Sequence, residues 1–235
     1  MNFSVDPKIF EKFPNIRIGV VIISDMVNSR NVEEIIILLR QEEAHQKEIL
    51  TGVELGSLPE ISAWRQIYRA FGSNPNDFRS SIESLLRRVR GGSKPLPNIN
   101  PLVNLYNYLS LKYHMPAGAE DLDKVTGDII LCFSDGTEKG IALGSTEEEA
   151  CEIGEVVYKD NLGFLCRRWN WREADRTKID SMTKRAVMVV EKVPEISDDS
   201  LQSILSEAKT RIESHLFGKC AIMILDTDHR VISLT

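Results

Sequence analysis

Arg87, Arg88 and Arg90 sit within one four-residue stretch and run into Gly91-Gly92. Guanidinium groups beside unhindered backbone amides can meet phosphate oxygens, so the run reads as a contact patch for an RNA backbone. The same residues also suit the end of a solvated helix, where cations complement the helix dipole. Charge around them is uneven. Ser62 to Pro95 holds seven Lys/Arg against two acids, a window of +5 in a chain of net charge −6, leaving −11 elsewhere. The second candidate group is CRRWNWREADRT, residues 166–177. Trp169 and Trp171 at i and i+2 predict a strand with both indoles on one face and Arg168, Asn170 and Arg172 on the other. Indole faces stack on bases or on arginine, or else cover an edge of the core. Glu173 and Asp175 follow directly, at a strand end of the kind that lines pockets.

Other catalytic patterns are weak. His45, His114, His215 and His229 are scattered, and the sequence holds no H-E-x-x-H, no G-x-S-x-G elbow and no P-loop. Cys132, Cys151, Cys166 and Cys220 form no C-x-x-C pair, which argues against a zinc ribbon or redox motif. The carboxylate groups Glu120/Asp121/Asp123 and Glu147 to Glu149 read as solvated surface or caps. No metal or cofactor is implied.

The elements that must position these residues read as mixed α/β. IRIGVVII (16–23) suits a buried strand. Apolar residues recur at helical spacing over 31–50, 61–71, 80–89, 102–113 and 200–217. From Met115 onward short strands alternate with turn signals. A hairpin is predicted over 127–144 around Asp135-Gly136, a second pair over 154–170 with its turn near Asp160-Asn161, a strand over 185–193 and a last hairpin over 220–234. With no repeat and no composition break, the expectation is one domain over 1–235: α/β (α+β), a helical layer packed on a largely antiparallel sheet.

Composition narrows the function classes. Hydrophobic residues make up 42% and charged residues 27%, ordinary for a globular chain. No apolar run reaches the roughly 18 residues of a membrane span, and MNFSVDPKIFEKF lacks the basic-then-apolar order of a signal peptide. A cytoplasmic protein is expected, and an acidic body argues against indiscriminate nucleic-acid binding.

Three stretches carry a resemblance: 67–89 (IYRAFGSNPNDFRSSIESLLRRV), 99–125 (INPLVNLYNYLSLKYHMPAGAEDLDKV) and 154–179 (GEVVYKDNLGFLCRRWNWREADRTKI). Over roughly residues 60 to 195 the chain resembles the B3/B4 domain of the phenylalanyl-tRNA synthetase β subunit, and more closely the free-standing proteins built from it. In the full synthetase that domain hydrolyses mischarged tyrosine from tRNA. The resemblance implies a pocket containing Asn107, the wall proline Pro116, and Glu173 reading the polar end of an amino acid. Gly118 stands where bacterial synthetases have a pocket histidine, and Tyr106 where they have a threonine, so the amino acid accepted need not be tyrosine. No signature of an ATP site is present. The expectation is a tRNA-associated protein hydrolysing a mischarged aminoacyl-tRNA in trans, with Arg87, Arg88 and Arg90 holding the acceptor stem. The alternative is a binding module for RNA or a free amino acid without turnover.

Overall fold

The apolar run near the N-terminus becomes a central strand, and the rest of the chain is arranged around it. A computed structural model describes residues 1–234. In order, the chain forms β1 (Asn2–Val5), α1 (Pro7–Lys12), β2 (Arg17–Ser24), α2 (Glu33–Ile49), α3 (Pro59–Ala70), α4 (Ser81–Gly91) and α5 (Pro101–Tyr113). There follow β3 (Ala117–Asp121), β4 (Ile129–Phe133), β5 (Lys139–Ile141), β6 (Glu148–Ala150), β7 (Val156–Lys159), β8 (Phe164–Arg167) and β9 (Arg172–Glu173). The chain continues with β10 (Ala186–Lys192), α6 (Asp198–Arg211), β11 (Lys219–Leu225) and β12 (Val231–Ser233). None of the helices is long and apolar enough among the described residues to cross a membrane.

The two main sheets are β11-β2-β10-β3, antiparallel throughout, and β12-β1-β4-β7-β8-β9, in which only β1 and β4 run parallel. β5 and β6 form a small ribbon, bridged to the end of β9 where Ala142 pairs with Ala174. Register decides what each face of the first sheet meets. Gly19 pairs with Val190, and a Cβ at Gly19 would lie 2.7 Å from Leu205 Cδ1, so α6 packs closely on that face. Val187, Val189 and Glu191 alternate to the opposite face, together with Gly118, the partner of Val189.

Two helices matter for the site. α4 starts where the Ser80 hydroxyl accepts from the Glu83 N–H, and it buries Ile82, Leu86 and Val89 along one stripe. α5 begins at Asn100, whose side chain accepts from the Val103 N–H at 3.1 Å, with Pro101 in the first turn. It ends at His114, in the left-handed region with φ 53°. The main core runs continuously from Phe3 to Leu234.

Three sequence expectations change. β4 does not pair with β5: it lies between β1 and β7, so residues 127–144 are not a hairpin although Gly136 makes its turn at φ 89°. β11 and β12 belong to different sheets, because β11 finds its partner in β2 and β12 in β1. The tryptophan segment is not a continuous strand. β8 stops at Arg167, and Arg168 and Trp169 both take positive φ, 46° and 67°. The predicted alternation therefore fails, and Arg168 is as buried as Trp169. The β7–β8 pair over 154–170, by contrast, forms as expected.

Candidate active-site cavity

A cavity of about 530 Å³ lies between the two sheets and is closed by α4 and α5. Each element contributes with its own period. Helix α4 presents Ser81, Ser84, Leu85 and Arg88, spaced three and four apart; α5 presents Tyr106, Asn107 and Ser110. One sheet supplies Gly118 and Glu120 from β3 and Val187, Val189 and Glu191 from β10. The other supplies Phe3, Tyr158 and the turn from Leu165 to Glu173.

Asn107, Pro116, Gly118 and Glu173, four residues far apart in sequence, thus line one cavity. Gly118 and Glu173 are sterically coupled. A Cβ at Gly118 would sit 2.7 Å from Glu173 Oε1, so the absence of a side chain at 118 gives the carboxyl its place above β3. There Glu173 accepts a hydrogen bond from the Ala119 N–H. Burial pushes its carboxyl up to about 7. Burial, and then the neighbouring Glu173 charge, push Glu120 well above the carboxylate range, against the pull of the Thr177 hydroxyl and the Arg176 guanidinium.

The arginine patch divides. Glu83 is fully buried and gathers its cations: Arg65 donates to it from Nε and Nη2, both at 2.9 Å, and Arg87 from Nε at 2.9 Å. Burial alone would raise Glu83, but these guanidiniums hold it below its ordinary value. Arg90 donates to the Val53 carbonyl. Arg88 alone of the three is exposed, lines the cavity, and has no ion-pair partner among the described residues. The structure places one guanidinium of the run at the cavity; Arg87 bonds within α4 to the same Glu83 that Arg65 of α3 engages, and Arg90 ties α4 to the loop between α2 and α3.

The tryptophans also divide. Trp169 is fully buried and packs edge-on against Phe13 and Trp64, each at 5.4 Å, while one part of it reaches the cavity wall. Trp171 is partly exposed in the cavity, with Arg172 over its ring at 4.8 Å and Phe78 edge-on at 4.8 Å. The left-handed pair at 168–169 is held from behind. Arg168 lies 3.7 Å over the Phe78 ring, donates to Ser73 Oγ at 3.0 Å and pairs with Glu152 at 2.6 Å.

Sequence reasoning missed Glu191 and misplaced Glu120. Glu191 is buried; its oxygens accept from Tyr158 Oη at 2.6 Å and Asn170 Nδ2 at 2.5 Å, and Asn170 in turn accepts from Tyr68 Oη at 2.9 Å. Burial pushes its carboxyl up to about 7, opposed by those donors. An acid inside the apolar run RAVMVVEKV was the available signal. Glu120, expected from the sequence at the solvated surface, is turned into the cavity by the register of β3.

No Cys–His nucleophile is assembled here. Cys166 lines the cavity, but burial and then the Glu173, Glu120 and Glu191 charges push its thiol well up, away from the reactive thiolate. Among the described residues no histidine lines the wall; His114 is occupied with Glu60 and Gln46. The cavity instead offers hydroxyls, amides and carboxyls around an aromatic interior.

No curated protein sequence matches the chain. Among solved structures, an N-terminal fragment of the phenylalanyl-tRNA synthetase beta-subunit from Pyrococcus horikoshii aligns over 93% of this chain and 49% of its own, with 13% identity and a TM-score of 0.46. The chain thus spans about half the length of that structure. The sequence model of the B3/4 domain matches residues 63–216, a span that includes α4, α5, β3, the tryptophan turn and β10. The chain belongs to the B3/4 domain family.

Proposed function

We propose that this protein hydrolyses a mischarged aminoacyl-tRNA in trans, with the amino-acid end in the cavity and the tRNA end at Arg88. The observation that carries the reading is the convergence of Asn107, Pro116, Gly118 and Glu173 on one cavity whose lip bears an unpaired arginine. The synthetase-like B3/4 domain supports the substrate class, and the lack of a Cys–His pair in the wall among the described residues is compatible with it. An aminoacyl ester is already activated, so hydrolysis needs a held ester, a positioned water and donors for the developing oxyanion. The Asn107 amide and the backbone around Pro116 to Gly118 supply donors, and a ribose hydroxyl next to the ester can relay the proton. Glu173 reads the polar end of the amino acid through a charge-assisted hydrogen bond. Such a protein would work in the cytoplasm alongside its tRNA.

The test is deacylation of a panel of mischarged tRNAs by the wild type and by Glu173→Ala. At least one tRNA is expected to lose its amino acid faster than in buffer, and the variant to lose that advantage. Rates equal to buffer across the panel for both proteins would remove the enzymatic reading. Saturable binding of an intact aminoacyl-tRNA under the same conditions would leave the non-catalytic binding module.

A further inference from the structure

Glu120 has no task in the reading above, and its setting gives it one. It stands two residues from Gly118 on the same face of β3, and the Glu173 carboxyl lies over Gly118. The two acids therefore meet in the cavity wall. Glu120 Oε2 is buried without a hydrogen-bond partner, and among the described residues no lysine or arginine forms an ion pair with either acid. Around them stand the Tyr106 phenol from α5, Cys166 from β8, Glu191 from β10 and Arg172 from β9. Beyond lie Arg176 and Asp160, which neutralise each other at 2.8 Å. Tyr106 and Cys166 are held in their neutral forms by burial and by the same two acids.

We propose that Glu120 and Glu173 form a two-carboxyl clamp for the ammonium group of a ligand carried on an apolar or aromatic body, with Glu120 setting the preference for an amine. This rests on the cavity being the amino-acid pocket but not on hydrolysis. An ammonium brings three donors and one positive charge, enough to serve both carboxyls at once; a hydroxyl brings one donor and no charge. The aromatic wall of Trp171 and Tyr106 suits the ligand's body and attracts its cation. The apolar and aromatic lining around the two acids suits a cation carried on an organic body. When empty, the acids relieve their repulsion by retaining a proton, which burial already favours. Binding an ammonium displaces that proton to solvent.

The experiment is calorimetric titration of the whole protein with phenethylamine and with 2-phenylethanol, which shares its body but carries no charge. An alkylamine stays ionised to about pH 10. At pH 8 the amine is expected to bind at least about tenfold more tightly than the alcohol. Its affinity should fall about tenfold per pH unit below about 7, with a proton released on binding, while the alcohol's should not. Glu120→Gln should lower the amine preference about tenfold or more. Equal affinities, a pH-independent preference or no amine binding at pH 8 would overturn the clamp, and these readouts need only the wild type. A protein that deacylates tRNA yet ignores the amine keeps the proposed function and loses the clamp. One that prefers the amine yet hydrolyses nothing does the reverse.

Discussion

Gly118→Ala tests whether Glu173 is held where the cavity needs it. The new Cβ would approach Glu173 Oε1 to 2.7 Å and Cδ to 3.9 Å, too close to the first for both to stay. The backbone at 118 is ordinary extended strand and accepts alanine, and its pairing with Val189 is unchanged. The yielding partner is the free end of the glutamate side chain, which must leave the Ala119 N–H. A hydrogen bond to a charged group contributes roughly 1.5–3 kcal/mol, so affinity or kcat/KM through Glu173 should drop by about 10- to 150-fold. Replacing glycine in a strand returns roughly 0.5–1 kcal/mol by restricting the unfolded chain, so the net loss of stability is about 0.5–2.5 kcal/mol. For a chain of this size each kcal/mol is a change in Tm of roughly 2–4 °C. Deacylation kinetics, or amine binding by calorimetry, alongside scanning calorimetry read both quantities. Full activity with an intact fold would refute the claim that the bare β3 strand positions the carboxyl.

Salt titration of tRNA binding should give a slope attributable to Arg88, and Arg88→Ala should reduce the slope's magnitude by about 1, while Arg87→Ala, whose partner is Glu83, should leave it nearly unchanged. Stability should fall as pH rises from about 4.5 to about 7. In that window folded Glu173 and Glu191 keep protons that the unfolded chain has lost, so each removes up to roughly 1.4 kcal/mol per pH unit. Urea unfolding at pH 5 and pH 8 reads the difference, and equal stability at both would contradict the burial of these carboxyls. Arg168→Ala should cost about 3 kcal/mol, because it strips the Phe78 ring and Ser73 of their partner and releases the left-handed turn at Trp169. Thermal unfolding measures it, and a loss below about 1 kcal/mol would show that the turn holds itself.

Local signals were legible in the sequence. The helix predicted over 102–113 is Pro101–Tyr113, with Asn100 as its cap, and the strand predicted over 185–193 is Ala186–Lys192. Periodicity and caps are properties of neighbouring residues, so they survive without tertiary information. Partnership between strands is not local. Residues 127–144 and 220–234 each carry two strand signals and a turn, yet β4 joins β1 and β11 joins β2, across long stretches of chain. The site shows the same division. The family resemblance points to Asn107, Gly118 and Glu173, but their meeting depends on how α5, β3 and β9 are placed in space, with the register of β3 against β10 deciding the face of Gly118. Glu120 looked like one of several surface acids because its face is set by that register alone. Arg87 and Arg90 looked equivalent to Arg88 because only the fold shows that Glu83 and the Val53 carbonyl already engage them.

The most direct test is a crystal structure of the protein with a non-hydrolysable 3′-aminoacylamino-adenosine 5′-phosphate. The amino-acid portion is predicted to lie in the 530 Å³ cavity beside Glu173 and Asn107, with the phosphate toward Arg88. An analogue bound away from that cavity, or with its adenosine inside and its amino acid in solvent, would contradict the account.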